Sequence, residues 1–234
     1  MIWQQYAKTL TEVLKLDGSI VAVSYTFDPP DVKRPKACRG CFALDKAHQG
    51  ETIVLDAENS SCGGGTWHLG LGDPPQGKAG EGLKKFLVHG EKLAMSYAVF
   101  HRMMVTASPP PKDLASHIVM APMDSAQLEP DVAVFYVNPE QACRLITLHA
   151  FFTGRSPKAE MIGAHCHMAV AYSLVTGEVN VSFGDWTARK MTGTPKDVLY
   201  VSVPYCHLPG IVESIPRCTA GTAEERPFSD YMSG

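Results

Sequence analysis

Val21-Ala-Val-Ser-Tyr25 and Val132-Ala-Val-Phe-Tyr136 are the two stretches whose reading decides the fold. Each is short, apolar and rich in β-branched or aromatic residues, the pattern of a strand covered on both faces. Behind the first come Cys41, Gly50, Cys62 and the run Leu69-Gly-Leu-Gly-Asp73. Behind the second come Cys143, Gly154, Cys166 and Val181-Ser-Phe-Gly-Asp185. The interval is 21 residues from Cys41 to Cys62 and 23 from Cys143 to Cys166, so one short insertion aligns the two series. This predicts a single unit over residues 1–234 made of two pseudo-repeats, about 19–75 and 130–190, with a helical insertion between them. Two such copies packed about a pseudo-dyad would bring equivalent cysteines together.

Outward from these strands, helices and strands alternate. Ile2, Tyr6, Leu10, Val13 and Leu14 recur at helical spacing, with Gly18 as the stop. Residues 38–49 read as a helix carrying Cys38, Cys41 and Phe42 on one turn. Thr52 to Ala57 reads as a strand, 82–104 as one long helix, and the Pro109-Pro-Pro111 run ends any continuation. His117 to Pro122 is a further strand. Asn138-Pro139 caps a helix through Thr153. A short strand is expected near Met161, a helix from His165 to about Val175, and strands over Glu178–Phe183 and Val198–Val203. The tail beyond Pro216 is polar and reads as loose. The fold class is therefore α/β or α+β, a sheet flanked by helices.

Composition narrows the function. The chain has 234 residues, 45% of them hydrophobic and 19% charged, enough for one full core. A net charge of −3 and a pI near 6.3 disfavour nucleic acid or an anionic membrane as the main partner. No apolar run approaches the roughly 18 residues of a spanning helix, and Met1–Leu16 lacks the basic start of a signal segment. A soluble cytoplasmic protein is the expectation, with a homo-oligomer left open. Seven cysteines in a reducing compartment point to metal ligation or thiol chemistry more than to disulfides.

Cys38-Arg-Gly-Cys41 has the spacing to put two thiolates on one metal or cluster, or to form a redox disulfide. Cys62 is followed by Gly63, Gly64 and Gly65, whose unobstructed amides can approach sulfide or another anion. Cys166 lies between His165 and His167 at a helix start, where the dipole favours a thiolate. Either histidine could coordinate or hydrogen-bond a ligand. Cys143 reads as a core residue, Cys206 as a loop-borne reserve ligand, and Cys218 as a tail residue outside the site. Asp73 and Asp185 read as loop caps. Serine nucleophile elbows, zinc-protease motifs and dinucleotide fingerprints have no counterpart here.

These residues give the chain a resemblance, over roughly 5–215, to domain-of-unknown-function family 169 of archaea and anaerobic bacteria. It rests on Val21-Ala-Val23, Cys41 with Ala43, Ala47 and Gly50, Cys62-Gly-Gly64 with Leu69-Gly-Leu-Gly72, Asn138-Pro-Glu-Gln141, Cys166, and Gly177 to Gly184 with Arg189. The resemblance implies importance for Cys41, Cys62 and Cys166 and implies no activity. It also implies a further cysteine just after Gly184, where this chain has Asp185, so Cys38 or Cys206 would substitute.

The expectation is a cysteine-ligated iron–sulfur protein, with a [4Fe–4S] cluster on Cys38, Cys41, Cys62 and Cys166, Cys206 in reserve, and zinc as the alternative metal. Its partner would be a redox protein or a small-molecule substrate. Two rivals remain at this level: an enzyme with Cys166 as nucleophile beside His165 or His167, and a module binding a small anion through the glycine run and Arg39.

Overall fold

The structure is a computed structural model that describes residues 1–222. Six strands form one sheet in the order β2-β3-β1-β4-β6-β5. They are β1 (Val21–Thr26), β2 (Ile53–Leu55), β3 (His117–Pro122), β4 (Val132–Val137), β5 (Asn180–Ser182) and β6 (Leu199–Pro204). Every pairing is antiparallel, which decides the class as α+β.

The two stretches quoted first are the central pair. Successive side chains of a strand alternate between faces, and both faces are covered. Ala22, Ala133, Phe135 and Val137 join one core with α1 (Ile2–Leu14), α6 (Pro139–Thr153) and α9 (Leu208–Ser214). Val21, Val23, Val132, Val134 and Tyr136 join the other with α2 (Gly40–His48), Leu69 and the segment around Ala169. Phe135, Val134 and Val23 are fully buried, so the sheet centre is dry on both sides.

The sheet has twofold order in its register as well as its sequence of strands. Val21↔Val134 and Val23↔Val132 flank Ala22↔Ala133 at the centre. Val21 pairs with Pro122 where Val132 pairs with Pro204, and Ile53 meets Met120 where Asn180 meets Ser202. The helices do not follow the predicted alignment of cysteines. α6, which carries Cys143, packs on the face opposite α2, which carries Cys41. The segment before β5 on α2's face is instead a π-helical turn, His167–Ala171, running into α7 (Tyr172–Thr176).

Several boundaries differ from expectation for local reasons. α1 ends at Leu14 because Lys15 takes a left-handed conformation, φ 53°, its N–H returning to Glu12 and that of Leu16 to Thr11. The long helix expected over 82–104 is broken into α4 (Gly77–Lys85), a π-helical turn at Phe86–Gly90, and α5 (Tyr97–Thr106), which Ser96 caps. The strand expected near Met161 is only a bridge between Lys158 and Asn180. α6 runs over the predicted residues, closed by the reciprocal Asn138–Gln141 capping box. It buries Gln141, Ala142, Leu145 and Leu148, which turns Cys143 outward, exposed rather than in the core.

The remaining helices are α3 (Gly63–His68), α8 (Trp186–Thr192) and α10 (Thr219–Thr222). Beyond Pro216 the chain packs back: Arg144 donates to the carbonyls of Ala220 and Gly221, and Cys218 is buried against α6 and α9. The rest of the tail expected to be loose lies outside the described residues. Among the described residues no helix is long and apolar enough to cross a membrane.

Candidate thiolate site

The α2 face of the sheet brings together the starts of four helical segments, and each start carries a sulfur or a carboxylate. Cys41 is the second residue of α2. Cys62 is the N-cap of α3, its Sγ accepting the Gly65 N–H at 3.4 Å. Cys166 opens the helical segment that becomes the π-helical turn. Asp185 is the N-cap of α8: Oδ1 accepts from the Ala188 N–H and Oδ2 from the His165 N–H, each at 2.7 Å. Cys62 and Asp185 thus occupy matching roles after β2 and β5, the strands related by the sheet's twofold order.

Two glycines set the distances between the sulfurs. A Cβ on Gly65 would lie 3.4 Å from Cys166 Sγ and 3.5 Å from Cys62 Sγ, so both sulfurs face the same glycine. A Cβ on Gly40 would lie 2.6 Å from Cys166 Sγ, so the Cys166 thiol rests on the backbone at the start of α2, beside Cys41. Gly63 and Gly64 form the first turn of α3 rather than an irregular loop, where helical amides lack intrahelical acceptors.

The electrostatics report the same convergence. Burial pushes the Cys41 thiol up to about 11, with the Asp185 and Cys62 charges adding to it. Cys166, 4% exposed, is raised well above the ordinary thiol range by burial, then by Cys41, Cys62 and Asp185. These thiols therefore remain protonated at neutral pH unless a cation compensates them.

Unpaired polar atoms lie on the same segments as the sulfurs and on β1. Tyr25 Oη, His68 Nε2, His165 Nδ1 and His167 Nδ1 are buried with no hydrogen-bond partner among the described residues. Tyr25 is raised by burial and then by the Cys166 charge. His68 Nδ1 lies 2.6 Å from the Gly64 carbonyl and donates to it, so Nε2 carries a free lone pair. Burial lowers both His68 and His165 to about 4, and it lowers His167 as well. Tyr25 and His68 had no motif to announce them. His68 lies almost two turns after Cys62, and Tyr25 is the penultimate residue of β1.

Cys38 and Cys206 differ in placement. Cys38 precedes α2 rather than sharing its turn, because its backbone bridges Ser60: its N–H donates to Asn59 and its carbonyl accepts from Ser61. Its thiol is raised by burial, and the charges acting on it are Lys46 and Glu51. Cys206 is exposed on a 3₁₀ turn, Tyr205–His207, leading into α9 on the opposite layer. Arg39 reaches α8, its Nη1 2.6 Å from Met191 Sδ. Asp73 is paired with Lys112 rather than capping a helix. Among the described residues no three His, Cys, Asp or Glu side chains are close enough to hold one metal ion.

The chain is 26% identical over 225 residues to the uncharacterized protein MJ0308 of Methanocaldococcus jannaschii, covering 91% of this chain and 93% of that protein. No solved structure matches it. The model of the DUF169 family, described as uncharacterised ArCR, matches residues 9–214, which include Cys41, Cys62, Cys166 and Asp185. The chain therefore belongs to that family.

Proposed function

We propose that the protein binds an iron–sulfur cluster through Cys41, Cys62 and Cys166, with Cys38 or Asp185 as the candidate fourth ligand, and serves a redox or cluster-dependent reaction in the cytoplasm. The observation that carries this reading is the convergence of the Cys62 and Cys166 sulfurs on Gly65, with Cys166 also resting on Gly40, the residue before Cys41. The glycine amides of the first turn of α3, beside Cys62, can approach a bridging sulfide, which favours iron–sulfur over zinc.

The donor set fits. Cys41 and Cys166 sit at helix starts whose amides favour anionic sulfur, and Tyr25 Oη and the first-turn amides of α3 are available as donors to sulfide. An iron–sulfur cluster supplies electron transfer or, at an iron without a thiolate, coordination of a small molecule. The protein's contribution is burial, fixed spacing and hydrogen bonds. The rival use of Cys166 as a nucleophile requires an accessible thiolate and an adjacent base. Its burial and its raised thiol both oppose that, and neither flanking histidine is bonded to it.

The test is anaerobic purification followed by iron, zinc and acid-labile sulfide analysis, with the visible spectrum. Iron with matching sulfide and absorbance at about 400 nm is expected for the wild type. Cys62→Ser and Cys166→Ser should lose both. Cys206→Ser and Cys143→Ser should keep them, and Cys38→Ser reports whether that thiol contributes. Wild-type protein devoid of iron and sulfide refutes the reading.

A further inference from the structure

A cleft of about 460 Å³ opens at the edge of the α2 layer, between α2, the start of α6 and the loop after α8. Its size falls in the range of small-molecule sites. Asp17, Asp45 and Asp197 line it, and among the described residues no lysine or arginine does. Acidic side chains alone would mean little, but Tyr136 also lines it, 9% exposed, and its hydroxyl has no hydrogen-bond partner among the described residues. Asp45 is half-buried and holds only the Gln49 amide, at 2.8 Å. A half-buried carboxylate with only the His48 ring as a neighbouring base, and a hydroxyl that no protein group bonds, open on one cleft, an arrangement that a ligand completes.

We infer that this cleft binds a small organic cation, an aliphatic amine or diamine, whose ammonium groups pair with Asp45 and the rim carboxylates while a polar atom meets the Tyr136 hydroxyl.

The cleft is not isolated from the thiolate site. The His48 ring stacks on Tyr136 with centroids 4.1 Å apart and planes 6° from parallel. Tyr136 meets Tyr200 edge-on at 4.8 Å, and Tyr200 meets His165 at 4.6 Å. From the cleft wall, Thr192, Thr194 and the Tyr200 hydroxyl are linked by hydrogen bonds of 2.8 and 2.9 Å. A bound amine thus touches an aromatic ladder that ends next to Cys166. The inference stands independently of the cluster, since it requires no metal.

The experiment is calorimetric titration of the full chain with 1,4-diaminobutane at about 0.15 M salt, which suppresses unspecific surface binding, with 1,4-butanediol as the uncharged isostere. Saturable binding of the diamine and none of the diol is expected. Asp45→Asn should weaken it at least tenfold, and Tyr136→Phe several-fold, as expected for removing a charge pair and a single hydrogen bond. Thermal unfolding of each variant verifies that it is folded, and Glu12→Gln, away from the cleft, should bind as wild type does. No saturable binding at about 10 mM diamine, far above a millimolar dissociation constant, overturns the inference. So does equal binding by the diol or undiminished binding by folded Asp45→Asn.

Discussion

Gly40→Ala is the sharpest test of how the thiolate site is built. In an ordinary helix the change is favourable, by up to about 1 kcal/mol, because alanine loses less backbone entropy than glycine. Here the new methyl would stand 2.6 Å from Cys166 Sγ and 2.8 Å from Leu69 Cδ1, both fully packed. Relief requires Cys166 to retreat by about 1 Å to reach ordinary contact. Overpacking of this kind costs about 1–3 kcal/mol. Set against the helical gain, the net is a loss of about 1 kcal/mol, or roughly 2–4 °C in Tm for a chain of this size. Gly82→Ala in α4 is the control, since its Cβ meets nothing within 4 Å and its backbone is ordinary. It should gain up to about 1 kcal/mol. Thermal unfolding by circular dichroism under reducing conditions reads both, and the iron and sulfide content per chain reads the site, which should fall in Gly40→Ala alone. If Gly40→Ala is as stable as Gly82→Ala and keeps its iron, Cys166 does not rest on α2 as described.

Asp185→Ala removes the α8 cap and leaves the buried His165 N–H without an acceptor, for a loss of about 2 kcal/mol, whereas Asp185→Asn keeps much of it. Equal urea midpoints for the two variants would contradict the cap. The metal-free protein should be most stable between about pH 6.5 and 9. His68 and His165 are held neutral in the fold, with pKa values of about 4. The unfolded chain therefore takes up more protons as pH falls below about 6.5, and stability drops by up to about 1.4 kcal/mol per pH unit per group. At the alkaline side Cys41, raised to about 11, stays protonated in the fold while the unfolded thiol ionises. Stability then falls as pH rises from about 9 to 11. Metal loading should abolish the alkaline limb. A metal-free stability curve with no slope on either side would count against the buried placement of these groups.

The central strands were legible in the sequence because residues buried on both faces leave unbroken apolar runs, as in Val21–Tyr25 and Val132–Tyr136. α6 was legible through its Asn-Pro cap and box. Cysteine equivalence was not, because intervals of 21 and 23 residues carry no information about which face of a sheet a helix covers. Cys41 and Cys143 look alike in sequence and lie in opposite layers. Asp185 could be read as a cap, as it is, but its second oxygen on His165 follows from a contact 20 residues away in the chain. Cys38 was expected to share the turn of Cys41. It precedes α2 instead, bridged to Ser60 two residues before Cys62, a pairing that spacing along the chain does not reveal. Tyr25 was invisible as a site residue, since a tyrosine at the end of a buried strand has the same pattern whether it packs or donates.

The meeting of four helix starts means that the positive potential facing the sulfurs is built into the backbone. Partial charges of roughly half a unit at each helix start amount to a compensation that no point substitution at a lysine or arginine can remove. Neither acid nor alkali titrates it, and its burial shields it from salt. Drift among surface charges can therefore retune solubility or partner choice while this backbone field stays constant. Such a field is lost only when one of the helix starts itself moves.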